Sequence, residues 1–207
     1  VIDSEYNVKY KYTMKSKVLA LILLCGAASL GAKVKLPALV GDNMILQQQT
    51  EVKLWGTAAP EAEVRVTPSW NGQTMTCRAD KDGGWTLAVE TPAAGYTAYE
   101  ITFDDGEKTT LKNILIGEVW LASGQSNMEM PLKGFAGCCI MNGADDIIVS
   151  AENKGVRMFT VPKHQTYELQ TDCKGSWNIS SIETAPDFSA TAYYFATSLS
   201  RALQITV

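Results

Sequence analysis

Between Val34 and Leu111 apolar residues recur at alternate positions in short runs closed by turn formers, and after Asn113 that rhythm stops. Val52-Lys53-Leu54-Trp55 ends at Gly56, and Glu63-Val64-Arg65-Val66-Thr67 ends at Pro68. Asn71-Gly72 is a tight-turn pair, Gly83-Gly84 precedes Trp85-Thr86-Leu87-Ala88-Val89, and Tyr99-Glu100-Ile101-Thr102-Phe103 leads into Asp105-Gly106. A period of two sends successive side chains to opposite faces of a strand, so each run has one face to bury. No helical period persists in this stretch. The spacing predicts a small antiparallel β-sandwich over residues 33–111.

From Ile114 to Ala122 the chain is nearly continuously apolar, as in a strand buried on both faces. Val156 to Val161 reads as a second buried strand, stopped by Pro162. Phe188 to Leu203 has helical spacing, with Ala192, Phe195, Leu199 and Leu203 on one face and Asp187 or Ser189 placed to cap it. Alternating strands and helices predict an α/β layer with a parallel sheet over residues 112–207. A strand-helix-strand unit takes roughly 30 residues or more, so this segment holds only two or three strands. Gln204-Ile205-Thr206-Val207 reads as the approach to another. So few strands leave an open edge, and the segment is expected to be the N-terminal part of a longer, truncated domain.

With 46% hydrophobic and 19% charged residues, the composition is globular rather than disordered. A net charge of −4 supplies no basic face for nucleic acid or an anionic membrane. Met14 is followed by Lys15 and Lys17, an apolar run from Val18 to Cys25, and small residues through Ala32. That order is a secretory signal peptide over 14–32, with 1–13 as an upstream translated segment. The apolar run falls short of the roughly 20 residues a membrane span needs, so no transmembrane segment is expected in the mature chain. The protein is read as exported, to the periplasm or outside the cell. Lipid attachment at Cys25 is the rival reading, disfavoured because Leu24 stands where a small residue belongs.

Export permits disulfides, and Cys77, Cys138, Cys139 and Cys173 allow three pairings. Adjacent cysteines such as Cys138 and Cys139 rarely bridge each other, because the geometry is strained. There is no Cys-x-x-Cys pair, and the single histidine, His164, has no ligand-spaced partner, which disfavours zinc. A structural disulfide or free thiols is the preferred reading.

Ser126, in Gly124-Gln125-Ser126-Asn127, follows the continuous apolar run and precedes a helix-like start. A serine there stands above the end of a sheet, and free backbone N–H groups at the turn can stabilise the oxyanion formed when it attacks an ester. Gly124 is expected to permit the sharp turn, and Gln125 and Asn127 to brace it by hydrogen bonds. By residue type alone, a serine at such a turn is more often only a helix cap.

Ile116-Gly117-Glu118-Val119-Trp120-Leu121-Ala122-Ser123-Gly124-Gln125-Ser126-Asn127-Met128-Glu129 resembles the nucleophile block of sialate O-acetylesterases, members of the SGNH hydrolase superfamily. The segments Lys35 to Gln48, Val52 to Gly56, Arg157 to Pro162 and Phe188 to Phe195 resemble other family segments in the same order. The resemblance implies an N-terminal β domain followed by the first part of a flavodoxin-like SGNH domain. It also implies a secreted serine esterase acting on O-acetylated sugars through an acyl-enzyme on Ser126, with no metal or organic cofactor. Family members take a glycine and an asparagine for the oxyanion hole, and an Asp-x-x-His segment for the base and its orienter, from later blocks. The sequence ends before those blocks, so the fragment alone is expected to be inactive. The alternatives are a non-catalytic sugar-binding β module and an acetylxylan-type esterase.

His164 matches no histidine of the family pattern and reads as an exposed loop residue. Asp145 and Asp146, after Asn142-Gly143, read as turn or cap residues. Trp55, Trp85, Trp120 and Trp177 read as core, and Trp70, beside Asn71-Gly72, as the exposed tryptophan and a sugar-contact candidate. Asn178-Ile179-Ser180 matches a glycosylation acceptor, which matters only in a eukaryotic secretory route.

Overall fold

The computed structural model describes residues 33–137, 139 and 142–207. The expected signal peptide, the upstream segment, Cys25 and Cys138 lie outside the described residues. Seven strands fill the first half: β1 (Ile45–Gln47), β2 (Glu51–Thr57), β3 (Glu63–Pro68), β4 (Met75–Arg78), β5 (Gly84–Glu90), β6 (Gly95–Asp104) and β7 (Lys108–Gly117). Then come α1 (Ser126–Glu129), α2 (Ala144–Val149), β8 (Asn153–Phe159), β9 (Trp177–Ser180), a 3-10 turn (Ala185–Asp187) and α3 (Ala190–Leu203).

The alternating residues behave as their period requires. In β3, Val64 and Val66 are fully buried while Glu63 and Arg65 face solvent. In β5, Trp85, Leu87 and Val89 point inward. These residues join Leu54, Ile101, Phe103, Ile114 and Ile116 in one core shared by two sheets. One has the order β1-β7-β6-β3-β4, and the other pairs β2 with β5. Each side chain fully buried there contributes roughly 1.5–3 kcal/mol.

The first sheet is mixed rather than purely antiparallel, because β1 runs parallel to β7, with Ile45 opposite Leu115 and Gln47 opposite Gly117. Parallel neighbours need a long crossover, and here every other strand of the region lies between the two. A three-residue strand at the edge carries no alternation long enough to reveal its direction.

The change of rhythm at Asn113 is a bulge within β7. Tyr99 pairs with Ile114 and Ile101 with Leu111, so β7 has one residue more than β6 between these pairs. Asn113 takes that place with a left-handed φ of 59°, as an extra residue in an antiparallel ladder often does. The buried strand expected over Ile114 to Ala122 is therefore shorter. Ile114 to Gly117 complete β7, whereas Val119, Trp120 and Leu121 are exposed.

The second half has its own core of Leu132, Ala151, Val156, Met158, Ala185, Ala190 and Tyr193. β8 is buried from Gly155 to Met158 and pairs antiparallel with β9. Its other edge carries a parallel contact: Val207 donates to the Gly155 carbonyl at 2.9 Å, and Arg157 donates to the Val207 carbonyl at 2.8 Å. Thr206 sits on the end of β7, its hydroxyl donating to the Ile116 carbonyl at 2.8 Å and its carbonyl accepting from Glu118 N–H at 3.0 Å. The residues read as the approach to a strand thus lie between β7 and β8.

Arg157 links the two cores. Only 7% exposed, it donates through Nη2 to Asn113 Oδ1 at 3.1 Å and through Nη1 to the Asn43 carbonyl at 3.5 Å. Asn113 in turn donates to Asn43 Oδ1 at 2.7 Å. Burial lowers the guanidinium pKa from its ordinary value.

Among the described residues no helix is long and apolar enough to cross a membrane. Cys77 and Cys173 carry free thiols.

Candidate active site

Ser126 opens a single helical turn and is exposed. The Gln125 carbonyl closes the turn, accepting from the N–H groups of Met128 and Glu129 at 3.0 Å each. The Met130 N–H returns to the Ser126 carbonyl at 3.1 Å. Among the described residues, the Ser126 hydroxyl and the N–H groups of Ser126 and Asn127 have no partner. An unengaged hydroxyl beside two unengaged donors is the minimum that attack on an ester carbonyl and stabilisation of its oxyanion require.

Gly124 serves this turn by its size. Its φ is not left-handed, and a Cβ at this position would stand 3.1 Å from Met128 Cβ. The expected bracing by Gln125 and Asn127 runs through their main-chain carbonyls. Asn127 accepts from Thr191 Oγ1 at 3.0 Å, while neither side chain forms a hydrogen bond among the described residues.

Of the other supports, only Ser189 was singled out from the sequence, as one of two candidate caps. The start of α3 lies beside the turn: Ser189 caps the helix by accepting from Ala192 N–H at 3.3 Å and donates to Met128 Sδ at 3.4 Å. The Ala190 N–H reaches the Met130 carbonyl at 2.9 Å, and the Leu132 N–H reaches Phe188 at 2.9 Å. On the approach from β7, Gln48 Nε2 donates to Glu118 Oε1 at 2.8 Å, and Gln47 Oε1 accepts from Val119 N–H at 2.9 Å. The pairing of Ser189, Thr191, Gln47 and Gln48 with residues more than 60 positions away in sequence leaves no mark in local spacing.

The remaining candidates separate clearly. His164 is exposed in the loop after β8, whose Lys163 forms an ion pair with Glu129. Asp145 and Asp146 occupy the first turn of α2, behind a left-handed Gly143. Trp120 is the exposed tryptophan, at 58%, edge-on to Phe195 with centroids 5.1 Å apart. Trp70 is half-buried instead, held by its Nε1–H on the Glu90 carbonyl at 2.9 Å and by the Tyr99 ring. Asn178 is exposed in β9.

The fold is similar to that of a solved carbohydrate acetylesterase. The crystal structure of such an enzyme from Xanthomonas citri matches with a TM-score of 0.76 and 30% identity, covering 84% of this chain and 38% of that one. The chain is also sialate O-acetylesterase-like in sequence. It is 27% identical to the Sialate O-acetylesterase of Rattus norvegicus over 77% of its length, and 28% identical to that of Homo sapiens over 72%. It spans about a third of these relatives, 31% of the rat protein and 29% of the human one. No family model matches the chain.

Proposed function

We propose that the sequence is the nucleophile-bearing part of an exported serine esterase that removes O-acetyl groups from sialic acid or related glycans. The observation that carries this reading is the Ser126 turn, closed by its own main-chain bonds and held by the start of α3, with its hydroxyl left free. The likeness to carbohydrate and sialate acetylesterases supports the substrate class.

Ser126 attacks the acetyl carbonyl, a base removes its proton, and the N–H groups at the turn receive the oxyanion. The sugar hydroxyl leaves, and water releases acetate from the acyl-serine. No base is assigned within this sequence, whose one histidine, His164, belongs to an exposed loop. Without a base, a serine hydrolase loses several powers of ten in rate, so the 207-residue chain alone is inactive.

The test is Ser126→Ala in a polypeptide of the relatives' length. Acetate release from an O-acetylated sialoside falls to background if the reading holds, and survives if another residue is the nucleophile. A catalytically silent sugar-binding β module is the second reading, favoured by the compact core of 33–111. It requires glycan binding by the chain together with no effect of Ser126→Ala on ester hydrolysis.

A further inference from the structure

A cleft of about 510 Å³ opens where the start of β6, the segment before β8 and the C-terminal half of α3 meet. Its volume suits a monosaccharide or a drug-sized ligand. Tyr193 forms the floor, with its hydroxyl already committed to Ser180 Oγ at 3.0 Å. Tyr96, 58% exposed, and Tyr194 line it as well. Tyr96 packs against Gly155, where a Cβ would come within 2.6 Å of its ring, so the ring is seated rather than free.

The polar groups left over define the ligand. Asn153 spends its Oδ1 on the Gly155 N–H at 3.0 Å, which leaves its amide NH2 as a donor. Arg201 lines the cleft without an ion pair among the described residues. No carboxylate lines it. An unpaired guanidinium in a site without acids selects an anion, and its planar fork matches a carboxylate. Tyrosine rings favour a sugar face, which is apolar on its C–H side and polar at its rim.

We infer that this cleft is a non-catalytic subsite for an acidic sugar, with the sugar carboxylate on Arg201, a ring face on Tyr96 or Tyr194, and a carbonyl or hydroxyl on Asn153. It lies apart from the Ser126 turn. Thr191 braces that turn, and Arg201 is about 15 Å further along α3 at 1.5 Å per residue. The inference deepens the proposed function and rests on its acidic-glycan substrate class. A second contact of this kind holds an acidic glycan near the nucleophile by raising its local concentration.

The probe is N-acetylneuraminic acid, which carries no O-acetyl ester, titrated against the whole chain by calorimetry or NMR. N-acetylglucosamine serves as the neutral control. Wild type and Ser126→Ala are expected to bind the acid saturably and to ignore the neutral sugar. Arg201→Gln and Tyr96→Ala lose at least tenfold in affinity, and Arg201→Lys loses less. Circular dichroism confirms that each variant is folded. No binding by wild type, or unchanged binding by folded Arg201→Gln, overturns the inference. Binding lost in Ser126→Ala but kept in Arg201→Gln moves the sugar to the serine turn, which overturns this subsite and leaves the proposed esterase standing.

Discussion

The hydroxyl of Thr191 donates a 3.0 Å hydrogen bond to the main-chain carbonyl of Asn127, the residue after Ser126. A helix that begins 64 residues after the nucleophile turn thereby fixes its geometry. The serine is set by tertiary contact rather than by its own short helix, which on its own is too brief to persist.

Thr191→Val keeps the shape of the side chain and removes that bond. A single neutral hydrogen bond is worth about 0.5–1.5 kcal/mol net, so the urea midpoint moves little. In a polypeptide of the relatives' length, kcat for acetate release is expected to fall on the order of tenfold with KM nearly unchanged, because misplacement of a reacting group costs rate rather than binding. Thr191→Ser restores most of it.

Gly124→Ala puts a methyl group 3.1 Å from Met128 Cβ. The turn must open by a few tenths of an ångström. The expected result is a folded protein with a kcat loss larger than that of Thr191→Val. Steady-state kinetics and thermal melting, measured together, separate the two effects.

The short alternating strands were legible because a period of two and their turn residues are local properties. Val64, Val66, Leu87, Val89, Ile101 and Phe103 all point inward as their spacing requires. Asn113 was harder: a bulge and a domain boundary both interrupt alternation, and only the pairing of Tyr99 with Ile114 tells them apart. The helical face was misassigned for a related reason. Ala192, Tyr193 and Ser200 are buried in α3, while Phe195 and Leu203 are exposed, because the core formed with Val156 and Met158 takes the face carrying Tyr193. Ser126 was legible as a candidate through resemblance. Its supports on β1 and α3 were not, since no local pattern ties Gln47 or Thr191 to a turn more than 60 residues away.

Among the described residues Arg157 is buried without a carboxylate partner, and its Nε has no acceptor. Arg157→Ala removes packing and leaves Asn113 Oδ1 without its donor. The two losses together are expected to cost about 2–4 kcal/mol. Arg157→Lys recovers little, because a point charge cannot bridge Asn113 and Asn43 at once. Urea denaturation of both variants measures this.

Burial raises the Cys77 thiol pKa above its ordinary value. The folded state therefore holds the thiol proton more tightly than the unfolded chain does. The resulting stabilisation is complete below the unfolded pKa of about 8.5 and is lost as pH rises through the folded value. The urea midpoint of wild type is expected to fall more between pH 8 and 10 than that of Cys77→Val. Equal slopes would show that Cys77 makes no contribution.

The proposed mechanism places the acyl group on Ser126. Its most direct measurement is to react a polypeptide of the relatives' length with a fluorophosphonate, which modifies activated serines, and to map the adduct by peptide mass spectrometry. One stoichiometric adduct is expected on Ser126, formed in parallel with loss of esterase activity and absent in Ser126→Ala. Full inactivation with the adduct on a different residue, or persistent activity with Ser126 modified, would contradict it.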